Sequence, residues 1–162
     1  EEYLDKIFRM FQEFVEMVQI IDSFEVADVQ FLLNNEFYKY CDKPFFPVFA
    51  GLFLNALLKR LFQNQDKISI DLELFNSRII NNASSNVDMR ARGPSDDNKI
   101  GYSLDFIGYL LPKDKVLKIR GTIGDYCGAL MGENSTIILH GKHGKYFGYE
   151  KDPTAKIIVN AQ

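Results

Sequence analysis

Cysteine is scarce in this chain of 162 residues, with only Cys41 and Cys127, so a disulfide framework is excluded. None is needed, because a chain of this length buries roughly 70% of its unfolded surface and can build a core without staples. Charge of one sign is also lacking. A formal net charge of −3 and a pI near 5.4 exclude the global positive field of a nucleic-acid or anionic-membrane binder. No apolar run reaches membrane-spanning length, since the richest, residues 45–58, is broken by Pro47 and Asn55. The acidic start EEYLDK has no signal-peptide pattern, and a cytoplasmic, reducing setting is expected. Glycine is nearly missing from the first 92 residues: ten of eleven lie beyond them, whereas eleven of fourteen phenylalanines lie before residue 63. That shift divides the chain into a helical region, 1–66, and a repeat region, 67–162.

In the helical region Leu4, Ile7, Phe8, Phe11, Phe14, Val15, Val18 and Ile21 recur at three- and four-residue spacing between charged residues, which predicts an amphipathic helix. Asp22 and Ser23 end it and are placed to cap a second helix over 24–41, with Val26, Val29, Leu32, Leu33 and Phe37 facing inward. A third apolar helix spans 47–63 and ends in Lys59 and Arg60, whose charges suit a helix C-terminus. Over 67–80 the period changes to two, with Ile68, Ile70, Leu72 and Leu74 alternating with polar residues, the pattern of a strand with one covered face.

The strongest pattern is internal self-similarity. LKIRGTIGDYCG at 117–128 and IILHGKHGKYFG at 137–148 share one G-x-x-G-x-Y-x-G frame at an offset of twenty residues. Gly121 meets Gly141, Gly124 meets Gly144, Tyr126 meets Tyr146 and Gly128 meets Gly148. One step back, GYSLDFIG keeps Gly101, Phe106 and Gly108; a further step reaches 78–88, where only Ile79 and Ile80 survive. Polar corners with Gly, Pro, Asn or Asp recur at the same interval. The resulting expectation is α+β: an N-terminal helical cluster capping a short right-handed parallel β-helix, a β-solenoid of about 20-residue coils. Val87, Ile107, Cys127 and Phe147 then form an interior ladder, and Phe106, Tyr126 and Tyr146 a neighbouring aromatic stack.

The repeated frame, with an apolar pair before each first glycine, resembles the GXGXG repeat of the C-terminal domain of glutamate synthase, in its large chain, and of the repeat-bearing subunit of formylmethanofuran dehydrogenase. The resemblance covers residues 79–162. It implies a right-handed parallel β-helix serving as a spacer or docking unit, with no catalytic residue to carry over.

Other candidate chemistry is thin. His140 and His143 form H-G-K-H, but no cysteine or carboxylate follows at ligand spacing, so no metal and no cofactor is expected. Cys127 falls in the apolar ladder as an inert thiol, and Asp105 and Asp125 share a column that continues in Lys145. Weak binding candidates are Arg90 and Arg92 in the irregular stretch 81–98, with Arg120 and His140. The preferred reading is a non-enzymatic structural or protein-interaction subunit. Its protein partner or second copy is expected at the C-terminal strand carrying Ile157, Ile158 and Val159, with no nucleic acid and no membrane involved. The alternative is a small-molecule enzyme with its cleft between the helices and the first repeat.

Overall fold

A computed structural model describes residues 2–86 and 103–159. Helix α1 (Glu2–Gln19) buries Ile7, Phe11 and Val18, with Glu2 and Asp5 in its first turn where the helix dipole favours acids. Helix α2 (Val26–Asn35) starts later than Asp22 and Ser23 suggested. Its cap is Glu25, whose backbone N–H donates to the Asp28 carboxylate at 2.8 Å. A 3-10 turn, Phe37–Tyr40, follows. Helix α3 (Phe46–Leu61) has proline in its first turn and is apolar almost all round. It is accordingly the central helix, with Leu52, Leu54, Leu57 and Leu58 buried. Arg60 near its end donates to the carbonyls of Val18, Ile21 and Asp22, taking up the orphan acceptors at the end of α1.

Strand β1 (Lys67–Asp71) stops short of the strand expected over 67–80, and helix α4 (Glu73–Asn86) replaces the rest. The Asp71 carboxylate accepts the Glu73 N–H at 2.8 Å, and Asn76 N–H reaches back to the Leu72 carbonyl, so a local cap converts the period from two to 3.6. Residues 78–86 are therefore helical and form no repeat coil. Strands β2 (Val116–Thr122), β3 (Thr136–Lys142) and β4 (Lys156–Val159) complete one parallel sheet in the order β1-β2-β3-β4. Val116 pairs with Thr136 and Thr136 with Lys156.

The expected right-handed parallel β-helix is overturned. The described strands make a single small flat sheet, to which each interval contributes one strand. The first strand comes from a segment outside the repeat spacing and is followed by a helix. The rest of each interval is turn rather than further strands, because Phe106, Leu110, Tyr126, Leu130, Tyr146 and Glu150 all hold left-handed backbone, which extended chain excludes. A GXGXG solenoid is thus not the architecture.

One hydrophobic core runs through both regions, from Ile7 and Leu52 to Ile119 and Leu139. Helix α3 docks directly on the first turn after the undescribed segment: Asp105 N–H donates to the Pro47 carbonyl at 3.0 Å. Buried Asn55 accepts from Gly108 N–H at 2.9 Å and donates to the Tyr109 carbonyl at 2.5 Å.

Candidate functional site

The turns between strands are held by backbone bonds from each turn to the equivalent turn one repeat on. Phe106 N–H donates to the Asp125 carbonyl at 3.0 Å and Tyr126 N–H to the Lys145 carbonyl at 2.9 Å. Side chains follow the same spacing: Phe106 stacks on Tyr126 at 5.3 Å and 5°, and Tyr126 on Tyr146 at 4.6 Å and 17°. Tyr3 of α1 lies beside this stack, 6.3 Å from Phe106 and 5.9 Å from Tyr126. Burial, reinforced by nearby Asp105, pushes its phenol up to about 12, and burial alone does the same to Tyr109.

Asp105 and Asp125 are not a paired-carboxylate acid and base. The Asp105 carboxylate accepts the Asp125 N–H at 2.8 Å, and that of Asp125 accepts the Lys145 N–H at 2.9 Å, so each binds the next turn. Gly124 and Gly144 pass directly against these carboxylates, and a side chain at either would collide with them. Gly141 lies over Gly121 so closely that a Cβ would overlap the Gly121 carbonyl oxygen. Gly108, Gly128 and Gly148 sit two residues after each stacked ring with left-handed backbone. All these glycines hold turns and strands together.

Ile107 and Cys127 are buried and Phe147 is half-buried; Val87 lies outside the described residues. Burial, with Asp105 adding to it, pushes the Cys127 thiol well up, so little thiolate is available for nucleophilic chemistry. Arg120 is exposed and pairs with Glu73 at 3.3 Å. His140 is its register partner on β3. His143 sets Nδ1 2.9 Å from the Gly144 carbonyl and its ring 4.5 Å from that of Phe147. Among the described residues no group of three His, Cys, Asp or Glu side chains converges as a metal site. Arg90, Arg92 and Gly101 lie outside the described residues.

Two described cavities lie among the helices. One of about 580 Å3 is lined by Asp22, Glu25, Arg60 and Asn64, but the Arg60 guanidinium is committed to the end of α1. The other, an apolar groove of about 270 Å3, is lined by Ile21, Phe24, Asp28, Phe31, Leu32 and Phe53. Neither is lined by residues of the repeat region.

The two edges of the sheet differ. At β1 the Gln30 amide of α2 mimics a neighbouring strand: it accepts the Asp71 N–H at 2.9 Å and donates to the Asp71 carbonyl at 2.7 Å. At β4, Ile158 and Val159 are each 44% exposed, and Tyr146 at the end of the stack is 55% exposed. Lysine is frequent in this last interval. Lys142, Lys145, Lys151 and Lys156 stand twenty residues after Thr122, Asp125, Met131 and Thr136. Lys145 breaks the aspartate ladder, and Lys151 Nζ donates to the Ala155 carbonyl at 2.9 Å. Sequence reasoning missed both Gln30 and this set of lysines. The lysines were legible in the repeat alignment, but Gln30 has no local signal.

No family model, curated protein or solved structure matches this chain. Among the described residues no helix is long and apolar enough to cross a membrane.

Proposed function

We propose that this chain is a non-enzymatic protein-interaction module whose partner binds at the β4 end of the sheet. The carrying observation is the contrast between edges: Gln30 takes up both backbone groups of Asp71 at the end of β1, whereas β4 presents Ile158 and Val159 to solvent, with Tyr146 of the preceding turn also exposed. Exposed apolar side chains on a sheet edge are a standing invitation to association, and edge lysines limit which surface can answer it. A cytoplasmic setting suits two cysteines outside any disulfide.

A photo-crosslinking side chain at position 158 should capture a protein in the native cell. The same group at exposed Lys118, two strands away in the same outward column, should not. Equal capture at both positions, or none at 158, would remove the β4 end as the interface.

A further inference from the structure

The last repeat interval carries both exposed apolar side chains and a basic excess. Residues 140–159 contain four lysines, two histidines and two acids, a formal +2 in a chain whose total is −3. Two such ends meeting each other would bring together two surfaces of the same net sign. Net like charge of that kind disfavours pairing of one β4 end with another. The surface that fits must be apolar and acidic.

One such surface is on the chain itself. Residues 16–28, from the end of α1 into α2, contain four acids and no base, a formal −4. The apolar groove between the end of α1, α2 and α3 is lined by Phe24, Phe31 and Phe53 with Asp28 among them. Phe31 is 58% exposed and nearby Ile20, just past α1, is 82% exposed. Glu16, Asp22 and Glu25 lie exposed in the same stretch. A single copy cannot bring the two surfaces together. Tyr3, at the start of α1, touches Tyr126 beside the β4 end, and α1 then carries the chain roughly 25 Å away before Ile20 is reached.

Resting on the reading of the β4 end as a protein-binding surface, we infer that its partner is the acidic α1–α2 groove of a second copy, in a head-to-tail contact. Ile158, Val159 and Tyr146 meet the aromatic groove, and Lys145 and Lys156 face Asp22, Glu25 and Asp28. Because the two surfaces differ, each copy keeps one of each unused, and the contact propagates into a chain or closes into a ring.

Sedimentation velocity tests this with the intact protein and two variants, Ile158→Glu at the end and Phe31→Lys in the groove. Both sites are exposed, and circular dichroism checks that helix content is kept; Lys145→Glu replaces the first variant if it unfolds. The wild type should grow in mass with concentration, with affinity falling about tenfold or more between roughly 0.05 M and 0.5 M salt. Each variant alone should be monomeric. Mixed, they should form a one-to-one dimer and nothing larger, since only one good end and one good groove remain. A wild type that stays monomeric at every concentration overturns the inference, as does a mixture that stays monomeric while the wild type associates. Capture of a different protein from position 158 would leave the proposed function standing while this inference fell.

Discussion

Tyr3 joins the two halves of the chain through a single ring, and its ionisation gives that contact a pH signature. Its phenol is pushed up to about 12 from an ordinary 10.0 by partial desolvation of a side chain still 48% exposed, with Asp105 adding to it. Above pH 10 the unfolded chain releases a proton that the folded chain retains, so stability is complete below pH 10 and is lost as pH rises toward 12. Tyr3→Phe keeps the ring contacts with Phe106 and Tyr126 and removes this proton. Denaturation midpoints plotted against pH should fall less steeply between 10 and 12 for the variant, with Tyr109 supplying the remaining slope. An identical slope would mean that Tyr3 is solvated as the unfolded chain is. The special role of Tyr3 had no sequence signal, because a tyrosine in an amphipathic pattern looks like any other edge-of-stripe residue.

Helix α3 is placed by one close approach. Gly51 passes so near the Asp105 backbone that a Cβ would overlap its carbonyl oxygen. Alanine at this position gains about 1 kcal/mol of helix propensity. The overlap with fixed backbone costs more, because overpacking of this kind runs at about 1–3 kcal/mol and the Pro47–Asp105 bond leaves little room to yield. Gly51→Ala should therefore lose about 1 kcal/mol net, read as a melting temperature lower by roughly 2–4 °C. A stabilised variant would show that α3 stands off from the turn. Periodicity predicted α1 and α3 because their stripes are long. It misread 72–80 because Leu72 and Leu74 continue the alternation of Ile68 and Ile70, while the Asp71 cap that starts α4 outweighs two residues of pattern.

Across the whole molecule the helical and repeat regions share one core, and buried Asn55 is the polar joint between them. It satisfies both Gly108 N–H and the Tyr109 carbonyl, neither of which has water to turn to. Asn55→Leu fills the space but orphans both groups, at about 1–3 kcal/mol each, partly offset by the added apolar contact. The expected result is a loss of about 3 kcal/mol and a melting temperature lower by roughly 10 °C. Calorimetry should still show one transition, because regions packed on a common core unfold together. Two separate transitions would mean that the regions fold independently and that Asn55 is only a local contact.

The sequence alone determined α1, α3 and the twenty-residue offset that becomes the strand register. All of these follow from local periodicity and from glycine and corner chemistry, which act over a few residues. It did not determine what the repeats build. Whether a turn segment pairs as strand depends on backbone at Leu110 and Leu130, whose side chains carry no left-handed signal and whose conformation is fixed by bonds to the next turn. The opposite fates of the two sheet edges were likewise decided in three dimensions. Gln30 reaches Asp71 across 41 positions of sequence, and only the packing of α2 on β1 brings that amide to the edge it closes.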